Sequence, residues 1–166
     1  MEEITYKNTK NYSDLDGITA FGKVVKVYDG DTIWVAIDFN NLNHEVTTIK
    51  PGSNIKKVKI RLARIDTPEI KGGKKAGKEK EEEIKNAKIS RDYVSNLILN
   101  KNVLVKFGQL GKYLRPITEV FYYDEPQRSS ISSSGNNNES KELINLSDEL
   151  LLCGLAKEFG RWLRIS

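Results

Sequence analysis

The 166-residue sequence reads as an α+β chain, mainly β, with five strands closed into a small barrel and two main helices. Five short stretches alternate apolar and polar residues with the period of a half-buried strand. One stretch with helical spacing lies between the third and fourth of them, and a second follows the fifth.

The first strand is Ile18–Tyr28, I-T-A-F-G-K-V-V-K-V-Y, with Gly22 marking a bend or bulge. Asp29-Gly30 signals a hairpin turn, because Gly tolerates positive φ. Asp31–Phe39 then sets Ile33, Val35 and Ile37 against Thr32, Trp34 and Ala36, a second strand. Asn40–Lys57 is long, polar and contains Pro51-Gly52, so it forms the loop of a long hairpin.

In the third strand Val58, Ile60 and Leu62 alternate with Lys59, Arg61 and Ala63, and the stretch runs on into Asp66-Thr67-Pro68-Glu69. Pro68 ends any ladder and holds Thr67 extended, which leaves the Thr67 carbonyl free. Plain alternation puts Arg61 and Asp66 on opposite faces, so a bulge or bend must intervene for both to reach one site.

Lys71–Lys80, K-G-G-K-K-A-G-K-E-K, is a flexible basic loop. Gly72, Gly77 and Lys78 imitate the start of a P-loop, but Glu79 stands where Ser or Thr is required and no buried strand leads in. The match is rejected. The helix is expected to begin near Glu79, since acids suit a helix N-terminus. Its apolar face is Ala87, Ser90, Val94, Leu97 and Ile98, and it ends near Asn100.

Asn102–Phe107 and Ile117–Tyr123 are the fourth and fifth strands, separated by G-Q-L-G-K-Y-L-R-P. The second helix is Asn145–Ala156, with Ser147 or Asn145 as N-cap and Gly154 near its end. Leu146, Leu150 and Cys153 share one face, which places Cys153 in the core. This order suits a closed barrel of the OB type; alternation alone also admits other small α+β folds. Residues 1–16 are polar and patternless, a flexible arm. Residues 17–166 make a single domain, in which 124–141, rich in Ser and Asn, is a disordered insertion.

Composition narrows the chemistry. Lys and Arg outnumber Asp and Glu by 27 to 23 and the pI is about 9.0, a modest pointer to a polyanionic partner. His44 and Cys153 are the sole histidine and cysteine. That count excludes an internal disulfide, a four-ligand Cys/His zinc site and two-histidine acid–base catalysis. His44 sits in a polar segment and is taken as a surface residue. The opening M-E-E-I-T-Y-K-N has no basic or apolar leader pattern, and no apolar run approaches the roughly 20 residues of a membrane span. The expectation is an intracellular protein with no membrane association.

What remains for catalysis is carboxylate, arginine, lysine and metal. Two clusters carry them: Asp29-Gly30-Asp31-Thr32 at the first hairpin turn, and Arg61 with Asp66, Thr67 and Glu69 at the proline-broken strand end. The two turns are expected to meet around one divalent ion. Arg64, Lys59 and Asp38 are read instead as surface ion pairs at strand ends.

The segments D-G-D-T (Asp29–Thr32), R-L-A-R-I-D-T-P-E (Arg61–Glu69), K-Y-L-R (Lys112–Arg115) and N-L-S-D-E-L-L-L-C-G-L-A-K (Asn145–Lys157) resemble staphylococcal nuclease and its thermonuclease-like relatives, in order and near their spacing. The resemblance covers roughly Val24–Phe159 and implies a calcium-dependent endonuclease, a phosphodiesterase that hydrolyses DNA and/or RNA to 5′-hydroxyl and 3′-phosphate ends. It implies that Asp31 and Asp66 bind Ca2+ through carboxylates and Thr67 through its backbone carbonyl. Glu69 would orient or deprotonate the attacking water. Arg61 and Arg115 would grip the phosphate, and Lys112 and Tyr113 would flank a neighbouring one. The expected substrate is single-stranded or frayed, and the expected state a monomer.

The chain departs from the family at Leu114, where the family has Gly, and at Gly111 and Pro116. It also has little room for a third helix after Lys157, and Trp162 stands near a position where the family carries a tyrosine. The alternative function is a catalytically weak or inactive OB-type module that binds nucleic acid or a protein partner. A sugar- or peptide-binding barrel has no specific residue in its favour.

Overall fold

The computed structural model describes residues 15–43, 49, 51–52, 54–124 and 142–159. Strands β1 (Thr19–Asp29), β2 (Thr32–Asp38) and β3 (Ile55–Leu62) form an antiparallel meander. A two-residue strand β4 (Ile65–Asp66) and helix α1 (Gly77–Ile98) follow. Strands β5 (Asn102–Leu110) and β6 (Pro116–Tyr123) pair antiparallel, and β5 also pairs with β1. A short parallel pairing of β3 with β6, Arg61 opposite Ile117 and Leu62 opposite Thr118, closes the five long strands into a barrel. Strand β7 (Leu143–Asn145) extends β6, helix α2 (Leu146–Leu152) follows it, and β8 (Lys157–Glu158) pairs with β4.

The alternating residues fill the barrel as the pattern requires. Val24, Ile33, Val35, Ile37, Val58, Ile60, Leu62, Val103, Val105, Phe107 and Val120 are all buried. Helix α1 adds Ala87, Ser90, Val94 and Ile98, spaced at the helical repeat, and α2 adds Leu146 and Leu150. The expected fold is the observed one, with three short strands (β4, β7, β8) in addition to the five. Two- and three-residue strands are too short to leave a period in the sequence.

Several boundaries and assignments are corrected. Gly22 is not a bulge: it pairs with Ile37 in register, and its bare Cα lets Val35 and Ala36 approach closely. The irregularities in β1 fall at Val25 and Tyr28. Strand β3 begins at Ile55, inside the expected loop, and α1 begins at Gly77. Helix α2 stops at Leu152, and Gly154 turns the chain with φ of 73°. That early stop leaves Cys153 exposed at the C-cap and not in the core, with its sulfur 3.2 Å from the Tyr93 hydroxyl.

Of the expected arm, residues 1–14 lie outside the described residues, while Leu15 is buried in the core. His44, Trp162 and 125–141 also lie outside them, so the expected insertion is described only at Asp124. The Asp124 N–H donates to the Glu142 carbonyl at 3.0 Å, joining the two sides of that segment. Among the described residues no helix is long and apolar enough to cross a membrane.

Candidate active site

The β1–β2 hairpin supplies the first acid. Gly30 is required at its tip for space and not for the positive φ expected of it, which it does not adopt: a Cβ there would meet Thr67 Cγ2 at 2.8 Å and Ser90 Cβ at 2.9 Å, well inside carbon–carbon contact. The tip is therefore seated on the residue before Pro68 and on α1. Asp31, next in sequence, is 6% exposed. Its Oδ2 accepts the Thr67 backbone N–H at 3.0 Å and lies 3.0 Å from Arg61 Nη1; its Oδ1 accepts the Thr32 hydroxyl at 3.2 Å. A carboxylate this deep is tolerated because both oxygens have donors.

The bend required between Arg61 and Asp66 lies at Ala63-Arg64. Arg64 takes φ of 68°, the chain leaves β3, and β4 restarts against β8. The phase change returns Asp66 to the side of Arg61, Nη2 to Oδ1 at 3.4 Å. One guanidinium thus spans both acids. Arg64 itself turns away to Glu119 at 2.6 Å and Asp148 at 2.8 Å, tying the bend to β6 and α2.

The acids outnumber the cation. Burial first, and then the Asp31 charge, raise the Asp66 carboxyl, with Arg61 opposing. Asp29, whose Oδ1 accepts the Asp31 N–H at 3.2 Å, is pushed up to about 7 by burial and then by the Asp31 carboxylate. Both groups feel the Asp31 carboxylate, so negative charge gathers around it.

Glu69 stands exposed beyond Pro68. Its N–H donates to Glu83 Oε1 at 2.9 Å, and its carbonyl accepts the Gly72 N–H at 2.9 Å. Gly73, at φ of 57°, gives its carboxylate room. The Glu69 charge contributes to raising Asp66, which places it at the same mouth. Glu83 is held below the usual carboxylate range chiefly by that Glu69 N–H, against the effect of burial, and then by Lys75 at 3.0 Å.

The β5–β6 connection brings the second arginine. Lys112–Arg115 form a tight turn closed by the Arg115 N–H donating to the Lys112 carbonyl at 3.4 Å, with Tyr113 and Leu114 left-handed at φ of 59° and 57°, as at the centre of a type I′ turn. Arg115 Nη1 then donates to the Thr32 hydroxyl at 2.9 Å, and Nε to the Lys112 carbonyl at 3.3 Å. Leu114 occupies the left-handed conformation that Gly adopts freely, and Arg115 meets Thr32, whose hydroxyl donates to Asp31.

Of the expected residues, the structure joins Asp31, Arg61, Asp66 and Thr67 by direct contact and adds Arg115 through Thr32. Glu69 lies at the mouth. Tyr113 is 87% exposed, with Arg115 5.6 Å over its ring, and Lys112 enters through its carbonyl. Lys59, expected to be ion-paired, has no carboxylate partner among the described residues and lies over the Tyr28 and Trp34 rings instead. Three participants had no expected role: Asp29, Thr32 and Glu83. The first two stand within D-G-D-T; Glu83 is one acid in a run of three and nothing local singles it out.

These elements define a barrel of the nuclease type, with its acids and arginines gathered where β3 meets β6. A family described as staphylococcal nuclease homologue matches residues 59–162, more than half of the chain, and the protein belongs to that family. Asp31 lies outside the matched segment, yet Thr67 and Arg61 within it hold its carboxylate. No curated protein matches the chain.

Proposed function

We propose that the protein is a calcium-dependent nuclease that hydrolyses phosphodiester bonds of single-stranded or frayed DNA and/or RNA, leaving 5′-hydroxyl and 3′-phosphate ends. The observation that supports this best is the Arg61 guanidinium lying 3.0 Å from Asp31 and 3.4 Å from Asp66, a cation between two partly desolvated acids. Among the described residues no three His, Cys, Asp or Glu side chains group to hold a metal ion. Asp31 and Asp66 would be the carboxylates offered to an ion here, and neutral oxygens would have to complete its shell. The Thr67 carbonyl accepts no hydrogen bond among the described residues. An all-oxygen donor set of this kind suits a hard cation, so Asp31, Asp66 and the Thr67 carbonyl fit Ca2+.

When bound, the ion supplies positive charge that offsets the approach of water to an anionic phosphate. The chain does the rest. Arg61 and Arg115 present planar forks that match phosphate oxygens in pairs and stabilise the charge that builds on them. Glu69, exposed at the side chain and held at its backbone by Glu83, orients or deprotonates the attacking water. Lys112 and Tyr113 flank the next phosphate. The enzyme acts as a monomer inside the cell.

The test is digestion of single-stranded DNA with calcium and with chelator. Cleavage is expected only with calcium, and Glu69→Gln is expected to lower kcat by about 10²–10⁴-fold with oligonucleotide binding retained. Absence of calcium-dependent cleavage by the intact chain sinks the proposal.

A further inference from the structure

The outer face of the β1–β2–β3 meander carries a feature that phosphodiester hydrolysis at one bond does not use. Arg61 and Thr32 are opposite one another in the ladder, and both touch site residues. The next outward row pairs Trp34 with Lys59 and, on β1, with Lys26. The third pairs Ala36 with Lys57 and Lys23. Rows on one face of a sheet lie about 7 Å apart, so the stripe runs roughly 14 Å away from Arg61. The bulge in β1 adds Tyr28 to the same face, where its ring lies 5.6 Å from the Lys59 ammonium. Lys57 and Lys59 lie 5.3 Å and 5.8 Å from the Trp34 ring.

Among the described residues none of the four lysines has a carboxylate partner. Of the two acids aligned with these rows, Asp29 is buried at the Thr32 end, where it accepts the Asp31 N–H, and Asp38 is turned to the loop, accepting from Asn40 and Asn41. Two rings framed by unpaired cations, in line with a phosphate-gripping arginine, complement a strand whose phosphates and bases are both accessible. A duplex hides its base faces, and the rings would then contribute little. Lysine over an exposed ring is worth only about two- to fivefold in an equilibrium. A base stacked on that ring is worth about five- to 150-fold, so a base can displace the ammonium toward a phosphate.

We propose that this stripe is an extended binding track for single-stranded nucleic acid, with bases stacking on Trp34 and Tyr28 and phosphates meeting Lys26, Lys57, Lys59 and Lys23. It spans about four nucleotides at the stacked spacing of 3.4 Å. Its direction from the scissile bond rests on the nuclease reading of Arg61; the track itself does not.

The experiment uses the full chain carrying Glu69→Gln, so that substrate survives, and compares an oligothymidylate of about twelve nucleotides with a dinucleotide. Lys57→Ala/Lys59→Ala is expected to weaken the long oligomer about tenfold, the dinucleotide distinctly less, and to flatten the slope of log K against log salt by roughly 1.4. Trp162→Phe leaves Trp34 as the sole tryptophan, and the oligomer is expected to quench its fluorescence. Equal losses for both lengths, no loss for either, or a Trp34 fluorescence that the oligomer leaves unchanged overturn the track. A duplex bound as tightly with the same lysine dependence also overturns it, leaving a backbone-only patch. Length-dependent binding in a wild-type protein that cleaves nothing supports the track and sinks the nuclease assignment alone.

Discussion

Asp31 Oδ2 lies 3.0 Å from the backbone nitrogen of Thr67, 36 residues further along the chain. This one hydrogen bond fixes the hairpin tip to the proline-broken strand end, and Arg61 shares the same oxygen. Asp31→Asn keeps an acceptor for the Thr67 N–H but removes the charge a cation needs. Calcium at a hundredfold excess over Kd is expected to stabilise the wild type by about 2.7 kcal/mol. The variant is expected to show no such rise and to lose at least about a hundredfold in kcat/KM. Scanning calorimetry with and without calcium checks this; an identical calcium shift in the variant would remove Asp31 from the ion's shell.

Gly30→Ala tests the seating of the hairpin tip. The added methyl would meet Thr67 Cγ2, Ser90 Cβ and Thr67 Oγ1, all within 2.9 Å, and overpacking of this kind costs about 1–3 kcal/mol. Because the displaced atoms belong to Thr67, calcium affinity is expected to fall with stability. Thr67→Ser removes the nearest carbon, so the double variant is expected to recover part of both losses, a coupling that urea melts of the four proteins can measure. Strictly additive costs would mean that the tip does not rest on Thr67.

The barrel was legible because its strands are half-buried, and half-burial writes a period-two pattern into β1, β2, β3, β5 and β6. The site was legible because D-G-D-T and D-T-P-E sit at turns whose chemistry is local. What could not be read depends on chain reversals. The alternation forbade Arg61 and Asp66 from sharing a face until Arg64 took a positive φ, a conformation no residue type there announces. Cys153 was misplaced because the helical stripe was extended past Leu152, where Gly154 ends it. Glu83 supports Glu69 across a loop, and a long-range hydrogen bond to backbone leaves no trace in sequence spacing.

Leu114 offers a test of conformational strain. A leucine in the left-handed region carries a penalty of about 1–2 kcal/mol that Gly does not. Gly costs about 0.4–1 kcal/mol through the freedom it adds to the unfolded chain. The Leu114 side chain is 73% exposed, so little packing is lost. Leu114→Gly is expected to stabilise the protein by up to about 1.6 kcal/mol, with Arg115 still on Thr32 and nuclease activity retained. Destabilisation in a urea melt would show that Leu114 makes contacts outside the described residues.

Glu119 ties β6 to the Arg64 bend and to the start of α2, accepting from Arg64 at 2.6 Å and 3.1 Å and from Asn145 at 2.8 Å. Burial alone would raise its carboxyl, but the hydrogen bonds from Arg64 and Asn145 outweigh it and hold it below the usual 4.5. A depressed carboxylate binds fewer protons in the folded state. Its stabilisation is therefore complete above pH 4.5 and fades as pH falls through the lower folded value. Arg64 is 43% exposed at the side chain, so screening limits the neutral-pH contribution to about 1 kcal/mol. Glu119→Gln is expected to lower the melting temperature near neutrality and to converge on the wild type as the solution is acidified. Parallel melting curves for the two proteins down to the acid limit would show that the Arg64–Glu119 pair does not link the bend to folding.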